Sequence, residues 1–212
     1  MPLKAAIVPV TPFQQNCTLI WDEASMRGAV IDPGGDLDRI EAGIKKAGIV
    51  IEKILLTHGH IDHAGGAAEL KEKLGNLPIE GPHPADRFLL DGLAEQARGF
   101  GFSGIRNITP DRWLAEGDKV EVPGATFEVL HCPGHSPGSV VFVYPPQSFA
   151  LVGDVLFRGS IGRTDFAYGD HDALIDAIKT KLLPLGDEFV FICGHGPMST
   201  LGEERRSNPF LQ

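Results

Sequence analysis

Hydrophobic positions follow two rhythms along this chain. In the first, apolar and β-branched residues run together between turn residues: "AAIVPV" (5–10), "CTLIWD" (17–22), "GAVIDPG" (28–34), "IEKILL" (51–56), "KVEVPG" (119–124), "TFEVLHC" (126–132), "SVVFVYP" (139–145), "FALVGDVLF" (149–157) and "EFVFIC" (188–193). Such runs predict short strands. In the second rhythm apolar residues recur every three or four positions. "DLDRIEAGIKKAG" (36–48) sets Leu37, Ile40 and Ile44 on one helical face and stops at Gly48. "HAGGAAELKEKLG" (63–75), "PADRFLLDGLAEQARGFG" (84–101) and "HDALIDAIKTKLLP" (171–184) predict three more helices. Each half of the chain has several strands, then a helix, then a strand ending at a histidine. Helices mixed with strands on this plan predict a sandwich of two sheets with helices outside. Its 212 residues are enough for one domain, taken as 1–212.

Composition narrows the function. At 42% hydrophobic and 22% charged the chain has an ordinary globular balance. Its formal net charge of −9 argues against a broad nucleic-acid or anionic-membrane surface. A local basic patch for a small anionic substrate is still compatible with it. No apolar run is long enough to span a bilayer, and "MPLKAAIVPVTPF" does not read as a signal peptide. The sparse set Cys17, Cys132 and Cys193 makes no disulfide framework, which suits a reducing cytoplasm.

The chemistry gathers at strand ends. "THGHIDHAGG" (57–66) follows the run "IEKILL" and crowds three histidines and an aspartate into one turn. His58 and His60, two apart, share a face in extended backbone, while Asp62 and His63 must point elsewhere. Four donors in six residues exceed what one tetrahedral ion takes easily from a single turn, so the spacing hints at two metals. Three distant pieces add donors: "HCPGHSPGS" (131–139) with His131 and His135, "LVGDVLF" with Asp154, and "FICGHGP" (191–197) with His195. A carboxylate after an apolar run is costly to bury unless it meets a cation. Together these residues supply the N/O donors that zinc, iron or manganese sites require.

"HGHIDH" followed by "PGHS", "GD" and "GHG" resembles the metallo-β-lactamase superfamily over nearly the whole chain. "FRGSIGRTDF" (157–166) and "GEERRSNPFL" (202–211) look like its short glyoxalase-II-like hydrolases. The resemblance implies a four-layer αββα sandwich. It implies one metal on His58, His60 and His135, a second on Asp62, His63 and His195, and Asp154 between them, with Asp62 and Asp154 part of the catalytic apparatus. The cofactor would be two divalent ions, zinc first, with iron or manganese as alternatives. The implied reaction is attack on a thioester, of the S-lactoylglutathione type, by a hydroxide shared by the two ions. The implied partner is thus a small molecule, neither nucleic acid nor membrane, and the protein would be a monomer or small homo-oligomer.

Other readings compete. Persulfide dioxygenases of the same superfamily share the "GRTDF" stretch and much of the ligand set but use a single iron and oxygen, and are the second reading; a non-catalytic metal-binding module is a third class. A β-lactamase is disfavoured, because that branch commonly places a cysteine where Asp154 stands. Full-length glyoxalase II enzymes carry a C-terminal helical domain that grips glutathione, whereas 17 residues follow His195 here. Arg158, Arg163, Arg205 and Arg206 are therefore candidate recruiters of an anionic substrate, Arg158 first. Arg163 and Asp165 are expected to form a buried pair bracing the Asp154 loop. His131 reads as support for a ligand or a plain strand end, His83 as equally a pocket or loop residue, and His171 as helix-start structure. Cys193 reads as a small buried hydrophobe.

Overall fold

The computed structural model describes residues 3–212. Two sheets form its centre. The first has five strands in the order β1 (Leu3–Val10), β2 (Gln15–Asp22), β3 (Arg27–Ile31), β4 (Val50–Leu55) and β5 (Ile79–Glu80). The second has six. Beginning at one edge with β6 (Lys119–Val122), it continues through β7 (Ala125–His131), β8 (Val140–Tyr144) and β9 (Phe149–Gly153). A two-stranded hairpin, β10 (Leu156–Phe157) with β11 (Ser160–Ile161), stands apart. The second sheet closes on β12 (Val190–Cys193), parallel to β9, and β13 (Ser199–Thr200).

The uninterrupted apolar runs are explained by burial on both faces, since alternate side chains of one strand enter different cores. In β8, Val141 and Val143 pack into the outer core of the second sheet, while Val140, Phe142 and Tyr144 face the first sheet. In β4, Ile54 joins the outer core of the first sheet and Leu55 the core between the sheets. Helices cover both outer faces. α1 (Leu37–Ala47) puts Ile40 into the core of the first sheet. α6 (His171–Ala177) puts Leu174 into that of the second. The order helix, sheet, sheet, helix is the expected αββα sandwich. No helix among the described residues is long and apolar enough to cross a membrane.

Four element boundaries differ from the sequence expectation, three of them at glycines and one at a π turn. The helix expected over 63–75 begins earlier and breaks: α2 (Ile61–Ala64) and α3 (Ala67–Lys73) are separated at Gly65–Gly66, whose backbone packs against Gly34 and Pro33. The helix expected over 84–101 divides at Gly92 into α4 (Arg87–Asp91) and α5 (Leu93–Gly99). After α6 the chain passes through a π turn, Ile178–Leu182, rather than continuing as α-helix. The single strand expected over 149–157 ends at Gly153, where φ is +51°, and resumes as β10. That break turns Asp154 out of the strand. A last helix, α7 (Leu201–Ser207), was not foreseen; its buried Glu204 accepts from the Gly159 N–H and pins the β10–β11 turn.

Candidate metal centre

The candidate residues meet where strands end. β3 leads to Asp32, β4 to Thr57–His63, β9 to Asp154 and β12 to His195, at the carboxyl ends of one parallel strand pair in each sheet, β3 with β4 and β9 with β12. Open α/β sheets place their sites at such ends. His135 arrives from the other side, on the loop between β7 and β8. The structure brings all seven candidates together.

They form two groups. In one, His58 Nε2 lies 3.0 Å from His60 Nδ1, and His135 Nε2 lies 2.9 Å from the same atom. In the other, His195 Nε2 is 3.2 Å and His63 Nε2 3.9 Å from Asp62 Oδ2. Asp154 stands between them. Its Oδ1 is 3.3 Å from His63 Nε2, and its Oδ2 is 3.5 Å from His135 Nε2 and 3.6 Å from His195 Nε2. Each group offers three ligand atoms close enough to hold one ion.

Every one of the five histidines has its outward ring nitrogen engaged. His63 Nδ1 donates to Asp32 Oδ2 at 2.8 Å, His135 Nδ1 to the Arg163 carbonyl at 2.9 Å, and His195 Nδ1 to the Phe13 carbonyl at 3.1 Å. His58 Nδ1 donates to Thr57 Oγ1 at 3.1 Å, and that hydroxyl donates onward to Asp32. His60 Nε2 donates to the Tyr168 hydroxyl at 2.8 Å. With the outer nitrogen donating, the inner one of each ring presents a lone pair to the centre, which is how metal-binding imidazoles are oriented. His63 Nε2 and Asp154 Oδ1 are buried without any hydrogen-bond partner. A buried imidazole nitrogen and a carboxylate oxygen facing each other at 3.3 Å need a positive charge between them, either a proton on the ring or a metal cation that displaces it. The donor set therefore fits divalent metal ions. A side chain at Gly194 would put its Cβ 2.0 Å from Asp154 Oδ1, so the "GHG" turn needs glycine there.

Burial and charge act oppositely on the two groups. Burial pulls His60 down to about 3, with its imidazole neighbours adding to the effect, and pulls His58 far below the ordinary histidine range. Burial also opposes charge on His63, but Asp154, Asp62 and Asp32 outweigh it and lift His63 well above that range. His195 is lifted too, its burial overcome by the hydrogen bond to Asp62 and by Asp154. Asp154 lies far below the usual carboxylate range: burial raises it, and His63, His135 and His195 together win.

Three residues at the site carried no sequence signal that was read. Asp32 orients His63. Tyr168 holds His60. Asp86, fully buried, ties both loops of the all-histidine group: its Oδ2 accepts from the Gly59 N–H and Ser136 hydroxyl at 2.8 Å each, and its Oδ1 from the Gly138 N–H at 2.6 Å. Asp32 follows an apolar run as Asp154 does, and that resemblance was the missed clue.

Other expectations divide. Arg163 and Asp165 do pair, at 2.7 Å, but on the surface rather than buried, and the chain after Asp154 enters the β10–β11 hairpin directly. Arg158 sits exposed in that hairpin's turn and does not line the cleft; Arg163 does. Arg205 is committed to Asp187 and Arg206 to Glu203. His83 stacks on His131 at 4.0 Å and accepts from the Ala85 N–H, away from the cleft. His131 Nε2 donates to the Pro137 carbonyl, steadying the His135 loop. His171 opens α6 behind the Asp170 cap. Cys193 is buried in the outer core, and burial pushes its thiol up to about 11.

An αββα sandwich with histidine and aspartate donors gathered at one sheet edge defines a class, the metal-dependent hydrolases of the metallo-β-lactamase fold. The chain belongs to the metallo-beta-lactamase superfamily, whose family model matches residues 10–195. It is 49% identical to hydroxyacylglutathione hydrolase GloC of Haemophilus influenzae, over 99% of this chain and 98% of that protein. Among solved structures it resembles the BLEG-1 B3 metallo-beta-lactamase, with a TM-score of 0.89, 35% identity, and 98% and 99% of the two chains covered. It also resembles TTHA1623, solved in a di-iron-bound form, with a TM-score of 0.86, 41% identity, and coverage of 97% and 100%.

Proposed function

We propose that this protein is a glyoxalase-II-like hydrolase of thioesters, of the S-lactoylglutathione type. In this reading His58, His60 and His135 hold one divalent ion, Asp62, His63 and His195 the second, and Asp154 faces both. The observation that carries it is the orphaned pair His63 Nε2 and Asp154 Oδ1 between two convergent donor groups. The GloC relative supports the substrate class. When bound, two such ions lower the pKa of water and polarise a carbonyl.

The rest is asked of the chain. Asp32, Thr57, Tyr168 and the carbonyls of Arg163 and Phe13 fix the five rings, so that no reorganisation is needed at the moment of reaction. A cleft of about 870 Å³, with His60, Asp62, Asp154 and His195 in its wall, receives the thioester beside the donors. The departing thiolate is stable enough to leave with little protonation. No protein nucleophile is needed, and burial raises all three cysteine thiols. A second reading, the single-iron persulfide dioxygenase, has against it the complete Asp62–His63–His195 group, which such an enzyme does not need.

Elemental analysis of the loaded protein, with assays of S-lactoylglutathione hydrolysis and of oxygen uptake on glutathione persulfide, tests the proposal. About two metals per chain with thioester turnover is expected, with zinc foremost. One metal with oxygen uptake would move the assignment to the dioxygenase.

A further inference from the structure

We infer that the cleft beside the donor groups is an aromatic subsite that selects thioesters carrying an apolar group the size of a phenyl ring. The inference names a substrate class within the hydrolase reading and rests on it only for the word thioester. Four phenylalanines are exposed among the described residues, Phe13, Phe88, Phe100 and Phe210, and three of them line this one cleft. Exposed aromatic side chains gathered around a concavity mark a binding surface rather than chance. Their arrangement is also ordered. Phe13 meets Phe100 edge-on at 5.4 Å, and its own carbonyl holds His195. Phe88 meets Tyr168 edge-on at 5.2 Å, and Tyr168 stacks on Phe166 at 5.2 Å and holds His60. The aromatic wall is thus built from the residues that orient two of the donors, Tyr168 by its hydroxyl and Phe13 by its backbone carbonyl, so an apolar group lying on it stays next to the reacting carbonyl.

The polar side of the cleft points the same way. Arg163 is the only Lys or Arg lining it, and its guanidinium is spoken for twice, by Asp165 at 2.7 Å and by the Phe166 ring at 4.3 Å. Glu95 adds a negative charge. The lining offers no free cation by which to discriminate between anionic carriers, so discrimination falls on the apolar group, for which a ring finds edge and face contacts that geometry favours. The Tyr168 hydroxyl is already engaged with His60, which leaves its ring as the surface offered.

Calorimetric binding of two non-hydrolysable thioethers to the metal-loaded protein tests this without turnover. S-benzylglutathione is expected to bind at least about ten-fold more tightly than S-methylglutathione, the scale set by burying one phenyl group. In Phe88→Ala/Phe100→Ala that advantage should fall by about ten-fold, while Phe210→Ala, outside the cleft, should keep it. In turnover, kcat/KM should favour S-mandeloylglutathione over S-lactoylglutathione by a similar factor in the parent protein. Equal affinities for the two thioethers, or a benzyl advantage untouched by the double substitution, would overturn the subsite. A benzyl advantage without hydrolysis of any thioester would uphold the subsite and remove the hydrolase reading instead.

Discussion

The group His58–His60–His135 consists of imidazoles alone, all buried, whereas Asp62–His63–His195 contains a carboxylate and has two members that reach solvent. The first is tied down by uncharged or distant partners: a threonine hydroxyl, a tyrosine hydroxyl, a backbone carbonyl, and Asp86 behind the loops. The second is ringed by Asp32, Asp62 and Asp154. The difference teaches that a fold can prepare donors in two ways. One hides imidazoles until they cannot hold a proton. The other surrounds an imidazole with carboxylates until it holds a proton tightly, and a cation must displace it. Asp154 is the one residue that serves both designs.

Removing Asp154 should therefore break the comparison altogether. Asp154→Ala is expected to lower metal content at both groups and to cut kcat/KM by at least about 10³-fold, equivalent to several kcal/mol of transition-state stabilisation. Asp154→Asn should be nearly as damaging, because its shape is kept but its charge is lost. Elemental analysis beside steady-state kinetics decides it. Near-normal metal content in either variant would show that the carboxylate does not face the ions.

A second substitution sharpens the contrast by touching one group only. Asp86 joins the 57–60 turn to the 135–139 loop, and its side-chain hydrogen bonds go to Gly59, Ser136 and Gly138 rather than to Asp62, His63 or His195. Asp86→Ala leaves two buried N–H groups without their acceptor, a cost of about 2–6 kcal/mol at roughly 1–3 kcal/mol per orphaned group, while the Ser136 hydroxyl keeps Ser139 as a partner. The expected outcome is a lower Tm and the loss of about one metal per chain, the ion of the all-histidine group, as followed by cobalt titration. Equal weakening of both sites would mean that Asp86 stabilises only the fold at large.

Asp86 also shows where the sequence stops being readable. It lies inside "PADRFLLDG", a stretch whose periodicity predicts a helix and whose aspartate passes for a solvated position. Only the packing of two remote loops onto it reveals its role. The donors were legible for the opposite reason. Histidines at strand ends, flanked by glycine and proline, have few structural uses, and their order along the chain carries the pattern. The strands were legible because burial on both faces leaves long apolar runs. The breaks at Gly65–Gly66 and Gly92 were not, because a glycine inside a helical period is tolerated as often as it interrupts. The Arg163–Asp165 pair was foreseen as chemistry and misplaced in depth, since two charges three positions or fewer apart pair equally well inside or outside.

The smallest effect is the most specific to the two designs, and it is a pH dependence. In the metal-free protein His58 and His60 lie below the ordinary histidine value, His60 near 3, so both are neutral throughout the range from pH 5 to 8. Binding an ion there expels no proton from them. His63 and His195 lie above the ordinary value and carry protons at pH 6, so binding at the second group must release them. As pH falls from 8 to 5.5, affinity at the second group should drop by up to about ten-fold per pH unit for each proton displaced, and affinity at the first should fall less, because His58 and His60 have no proton to give up. Fold stability is a poorer probe, because the signs oppose. Raised His63 and His195 stabilise the metal-free fold at low pH and lose that contribution as pH rises through their values. Depressed His58 and His60 resist protonation in the fold, so they destabilise it as pH falls below the unfolded histidine value. The two contributions offset each other in Tm, whereas metal partition separates them. Chelator competition at pH 8, 7 and 6 should show two steps that draw apart on acidification. Two steps that move in parallel would mean that the groups share one electrostatic environment and that the contrast between them is only geometric.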